Sequence, residues 1–259
     1  MSVIRELYHK LYLDYSSYSK SIPNINDTAV FVPMKGSKYN DDLPIKLMII
    51  GRAVYDWDYL IANSADEFGV LAEKQFESSN RFKWVEGTDD NLHHCDYQLN
   101  NSAFWKTSKA IWDGLIRSRA NGNYVISEEQ RWVEYICWSN LYKVAPKGGG
   151  NPTTTMCRAQ FEACRDLLKY EIDTWKPTHI LFVTGGNWIF EKTKRVKPEC
   201  NFASLFVDED NKEIEFGNEI VRNVRIKGQE QIKVLVTKRP ENINNERYIK
   251  DVLNGFGIK

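Results

Sequence analysis

The chain has 259 residues, 42% of them apolar and 27% charged, enough to bury a sizeable core in one globular unit. Its formal net charge is zero, so the molecule as a whole carries no field that would draw it to nucleic acid or to an acidic surface. No run of 18 apolar residues is present, and the opening MSVIRELYHKLYLDY lacks the pattern of a secretory leader, so the expectation is a monomeric cytoplasmic protein with no membrane partner.

In chain order, Val3–Tyr15 has a helical period. Lys46–Gly51 (KLMIIG) is the first of four short apolar runs that fit strands buried on both faces. Residues 62–100 show no convincing period and read as a long insertion after that strand. Ser102–Arg117 is helical, with Phe104, Trp105, Ile111 and Trp112 spaced as a core stripe. Val133–Asn140 (VEYICWSN) is the second apolar run, and the polar, glycine-rich turn SNLYKVAPKGGGNP follows from Ser139. A helix over Thr155–Trp175 starts behind the capping threonines of NPTTT and stops at Lys176-Pro177. Thr178–Gly185 (THILFVTG) is the third run. Extended pieces with turns at Asp210-Asn211 and Gly217-Asn218 suggest an antiparallel hairpin leading into the fourth run, Ile232–Thr237. A last helix covers Asn245–Asn254. Strand and helix in alternation predict an α/β fold, a three-layer αβα sandwich with a central, mainly parallel four-stranded sheet, in a single domain over residues 1–259.

Charge is unevenly distributed along the chain. Residues 56 to 101 hold ten acids (Asp56, Asp58, Asp66, Glu67, Glu73, Glu77, Glu86, Asp89, Asp90, Asp96) against Lys74, Arg81 and Lys83, whereas residues 219 to 240 hold six bases against Glu219 and Glu230. A basic face near the C-terminal end is compatible with phosphate, although such segregation often averages out on folding. The five cysteines lack any CxxC pair, and His93, His94 and Cys95 are adjacent residues that do not converge on one ion, so no metal and no cofactor is expected. Neither a dinucleotide-binding nor a Walker glycine motif is present.

Ligands of open α/β sheets sit outside the carboxyl ends of the strands. Here those ends are the stretch Gly51–Asp58, NLYKVAP from Asn140, GGNW from Gly185 and KRPEN from Lys238. The block from Asn140 to Gly185 resembles the centre of the uracil-DNA glycosylase superfamily, particularly its iron–sulfur branch. That family has a strand ending in Asn, a Lys-Cys-x-Pro turn, an Asn-x-x-Pro helix start, an Ala-Cys-x-x-Leu helix and a Lys-Pro lead into the next strand. The stretch Ile49–Trp57 is similar to the family's first motif, and VLVTKRPEN stands where its His-Pro-Ser motif would be.

The resemblance implies a pocket for a flipped nucleobase in DNA or another nucleic acid. Within it, Arg52, Tyr55, Trp57, Asn140, Lys143, Gly149 and Lys238 are the candidate substrate-binding residues. Asn140 would read the base edge, Tyr55 or Trp57 would stack on it, and Lys143 with the Gly148–Gly150 amides would meet phosphate. The motifs also depart from the family. The water-positioning carboxylate falls on Ala53, with Arg52 or Val54 as the other registers, and Arg239 replaces the histidine that steadies the departing base. Asp56 or Asp58 could supply a displaced acid, so Asp56 and Arg239 are the candidate catalytic residues, and uracil excision is expected to be absent or very slow. An active base-excision hydrolase using Asp56 or Asp58, and a binder of a free nucleoside-like molecule, are the alternatives.

Val144 occupies the position of the turn cysteine, and no N-terminal cysteine pair exists, so four thiolates cannot converge on a cluster. The purified protein should therefore be colourless. Visible absorbance with stoichiometric iron and sulfide would overturn this.

Overall fold

In the computed structural model the residues described are 2–53, 60–78, 82, 102–119, 132–189, 202–207 and 219–258. Four strands run parallel at the centre of one sheet: β3 (Leu47–Gly51), β4 (Ile136–Asn140), β6 (His179–Phe182) and β8 (Lys233–Thr237). All residues of β3, β4 and β6 are buried, which is why their sequences read as unbroken apolar runs. The sheet is mixed and six-stranded rather than four-stranded. β2 (Met34–Lys35) adds antiparallel to β4 and β7 (Val221–Val224) adds antiparallel to β8, giving the order β2-β4-β3-β6-β8-β7. β7 joins β8 through the residues between Val224 and Lys233, and an isolated antiparallel bridge pairs the upstream Phe206 with Ile226; the turns anticipated at Asp210-Asn211 and Gly217-Asn218 lie outside the described residues. A separate antiparallel pair joins β1 (Thr28–Val30) to β5 (Val144–Pro146).

Helices cover both faces. α1 (Val3–Tyr18), α2 (Ala65–Glu77) and α4 (Thr154–Trp175) pack together, and α3 (Ala103–Arg119) packs on α5 (Asn245–Gly255). Successive β4 side chains sort the two groups: the Trp138 ring lies 4.8 Å from Trp105 of α3, while Ser139 reaches Glu171 of α4. The helix ends follow the sequence. Thr153 caps α4 by accepting from the Met156 amide, and Lys176 closes it in the left-handed region before Pro177. α2 corrects the reading of residues 62–100 as an aperiodic insertion. Ser64 accepts from the Glu67 amide, and the Glu67 carboxylate accepts from the Asn63 amide, a start signal that precedes the buried Phe68 and Ala72. Gly69 lets α2 approach α1, because a Cβ there would lie 2.6 Å from the Arg5 carbonyl oxygen.

Between β4 and α4 the core holds an ion pair with no solvent exposure. The Lys143 amine donates to Ser139 Oγ at 2.8 Å and to the Asn140 carbonyl oxygen at 2.7 Å, and sits 2.9 Å from Glu171 Oε1 as an ion-pair contact. Ser139 also donates to Glu171 Oε2. Burial pushes the Glu171 carboxyl up from its ordinary range, and the Lys143 charge pulls it back. The expectation that Lys143 meets phosphate is therefore corrected: its charge is satisfied inside the protein, and the ladder bonds Leu141 N to Gly51 O and Tyr142 N to Arg52 O carry it there.

Removing one partner of a buried pair strands the other charge, at a cost of roughly 3–5 kcal/mol. Lys143→Met should lose about that much in urea unfolding, and Lys143→Met with Glu171→Leu should regain most of it. A double variant no more stable than the single one would contradict this account.

Candidate functional site

The parallel strands end at one rim, and backbone bonds past their last residues hold it together. The Val183 amide donates to Ile50 O, the Gly185 amide to Thr237 O at 2.8 Å, and the Leu141 amide to Gly51 O. Asn140 and Arg239 lie on this rim, three strand spacings apart, about 14 Å. α5 anchors the far end of the rim: Tyr248 Oη lies 2.6 Å from Thr237 Oγ1 and donates to the Lys238 carbonyl oxygen at 3.0 Å.

Asn140 is 1% exposed and pairs in register with Gly51. Its Oδ1 occupies the space a side chain at position 51 would need, since a Cβ there would lie 2.3 Å from it and 3.7 Å from the Phe104 ring. Its Nδ2 is buried and has no hydrogen-bond partner among the described residues. A buried amide donor left unsatisfied costs about 1–3 kcal/mol, and Nδ2 is one of several buried side-chain atoms so placed among the described residues.

Arg52 follows β3 and leans across the end of β6. Its Nε donates to the Thr184 carbonyl oxygen, and its guanidinium carbon lies 5.2 Å from the centre of the Trp188 ring. Burial, and then the charge of Arg239, lower its pKa to about 10, with Glu241 opposing the shift. Arg239 is exposed and clasps Glu241 through two bonds, one of them Nε to Oε2 at 2.9 Å. Among the described residues, this part of the rim thus gathers two guanidinium groups against one carboxylate.

The remaining candidates divide clearly. Lys238 is half-buried on the rim, its amide donating to Ile220 O. Gly149 lies in the turn beyond β5 with its amide donating to Pro146 O, in a stretch where Gly148, Gly149 and Gly150 all have positive φ. Tyr55, Asp56, Trp57 and Asp58 lie outside the described residues, as do His93, His94 and Cys95. Cys164 is a core thiol, pushed up to about 12 by burial, and Cys137 and Cys157 are likewise buried. Among the described residues no three His, Cys, Asp or Glu side chains group to hold a metal, and no helix is long and apolar enough to cross a membrane.

Thr184, Trp188 and Glu241 join the site although sequence reasoning gives them no role. They stand in the turns after β6 and β8, so their position at strand carboxyl ends is the available signal. Phe104, expected in the core, is only half-buried and borders Gly51. No protein-family model matches the chain, and no curated protein matches it.

Gly51→Ala forces the Asn140 side chain out of its place at an overpacking cost of about 1–3 kcal/mol. The side-chain amide resonances of Asn140 should move in this variant while the strand amides keep their shifts. Unmoved Asn140 resonances would show that the contact does not set the side chain.

Proposed function

We propose that the carboxyl rim is a pocket for a nucleobase presented out of its stack in DNA or another nucleic acid, on a fold of uracil-DNA glycosylase type. The observation that carries this reading is the buried Nδ2 of Asn140 at the end of β4, which has no partner among the described residues. An amide offers one face with a donor and an acceptor, the complement of a base's Watson–Crick edge, and a base in the pocket satisfies the donor that the described residues leave open. Helices on both faces of the four parallel inner strands, and the Asn-to-Lys-Pro block, agree with the family architecture. Arg52 and Arg239 supply the positive charge a polyanion requires.

The chemistry of excision is not matched. Ala53, half-buried after β3, carries no carboxylate to position water. Arg239 is a permanent cation chelated by Glu241; it can stabilise an anion but cannot exchange a proton near neutral pH. A positioned acid or base is worth about 10²–10⁴ in rate, so two absences make turnover on uracil absent or very slow.

Three measurements test this reading. Wild-type protein should bind single-stranded or abasic DNA without releasing uracil. Asn140→Ala and Arg239→Ala should both weaken binding, by about tenfold or more, and only the arginine's contribution should fade strongly with salt. Uracil release that Asp56→Asn abolishes would instead make the protein an N-glycosidic hydrolase with a displaced acid. Absence of binding to every nucleic acid would end the nucleic-acid reading, and binding of a free nucleoside alone would replace it with a small-molecule site.

A further inference from the structure

Two arginines on one rim repel each other, and what holds them there bears on what they bind. Arg52 is fixed from two directions: its edge donates to the Thr184 carbonyl oxygen and its face lies over Trp188, so the plane of the guanidinium is set before any ligand arrives. Arg239 approaches from the end of β8 and is close enough for its charge to act on Arg52. Each of its two bonds to Glu241 uses a different carboxylate oxygen, the fork-to-fork geometry that guanidinium also makes with phosphate. The side chains of Arg239 and Glu241 are 41% and 39% exposed, so that clasp opens to solvent at little cost.

We propose that Arg52 and Arg239 form a phosphate subsite, with Trp188 as its back wall, and that Glu241 is the internal anion which occupies Arg239 until phosphate displaces it. Two guanidinium groups reaching the same rim from the ends of β3 and β8 suit a tetrahedral oxyanion better than a planar carboxylate, which one fork already satisfies. The separation from Asn140 fits a nucleotide. Arg52 starts beside Gly51, which touches Asn140, and ends over β6, two strand spacings from the amide, about 10 Å, with Arg239 reaching in from the next strand. The inference rests on the base-reading pocket only for the carrier of the phosphate; the anion site stands on its own residues.

The test uses the full chain, with inorganic phosphate, a nucleoside, its 5′-monophosphate and a single-stranded oligonucleotide as probes, read by calorimetry and by thermal melting. Phosphate should raise the wild-type melting temperature in the concentration-dependent manner of a ligand that binds only the folded state. Arg52→Gln and Arg239→Gln should each weaken phosphate and 5′-monophosphate about tenfold or more while leaving the unphosphorylated nucleoside unchanged. Arg239 is exposed, so its variant folds even where that of Arg52 does not. Glu241→Gln should bind phosphate several-fold more tightly than wild type, because the competing anion is gone.

The sources separate by arm. A gain for the 5′-monophosphate over the nucleoside identifies a free nucleotide, and a gain only for the oligonucleotide identifies a phosphodiester backbone. If Asn140→Ala leaves phosphate binding intact but no nucleoside ever binds, the subsite stands and the base-reading function falls. If nucleosides bind and phosphate adds nothing, the reverse holds. No phosphate effect on wild type or Glu241→Gln, or one that neither arginine variant alters, overturns the subsite. Weaker phosphate binding in Glu241→Gln overturns the displacement.

Discussion

A lysine amine with no exposure to water must be met inside the protein, and that requirement organises the rim. Lys143 follows β4 by three residues, and its amine gathers the Asn140 carbonyl, the Ser139 hydroxyl and the Glu171 carboxylate. A buried pair of this kind is a weak source of net stability, since the desolvation of both charges offsets most of their attraction. Its consequence is geometric. It joins the end of a central strand to α4, and it holds the backbone of a residue whose side-chain Nδ2 has no partner among the described residues.

The same stretch is secured on its other side by side-chain bonds to backbone. Gln160 of α4 accepts from the Val144 amide at 2.7 Å and donates to the Val144 carbonyl at 2.8 Å, standing in for a strand neighbour. The Phe31 amide donates to the Lys143 carbonyl, and Tyr8 Oη donates to the Phe31 carbonyl, which ties the turn to α1. With its backbone fixed from several elements, Asn140 has no freedom to withdraw and satisfy its own Nδ2 elsewhere. Gly51 completes the restraint by offering room for Oδ1 and for nothing larger. Rigidity of this order would serve the proposed recognition role, because a donor already in position loses little entropy on binding.

The parallel core is legible in the sequence because residues buried on both faces of a sheet have no reason to alternate, so KLMIIG, ICWSN and HILF stand out against the helices between them. The edges are not. Met34–Lys35 is too short to carry a period, and α2 declares itself more by Ser64 and Glu67 than by a clean apolar stripe. Within the site, Asn140 and Arg239 are visible as polar residues at strand ends. Lys143 misleads for a physical reason: a lysine in a glycine-rich turn is ordinarily solvated, and its burial depends on Glu171, a distant position in α4 at which no local pattern hints. Glu241 gives no signal of its own, because an acid two residues from an arginine is ordinary until the arginine is seen to face another.

Asn140 and the arginine pair are two departures from what stability alone would select, an unsatisfied buried donor and a pair of like charges, and they share one rim. Each costs the folded protein something that a different side chain would avoid: a leucine at 140 leaves no open donor, and a glutamine at 52 or 239 removes the repulsion. The two costs are also complementary in kind, since one asks for a neutral acceptor and the other for an anion. A ligand carrying both, a carbonyl-bearing ring joined to a phosphate, relieves them together, and relief of both by one molecule couples the two ends of the rim. On the proposed reading, binding at Asn140 would order the ring end and so raise the local concentration of phosphate at Arg52 and Arg239, without any movement of the sheet. On that reading, the fixed strands that make the core rigid are also what let the unsatisfied donor and the paired charges act as one site.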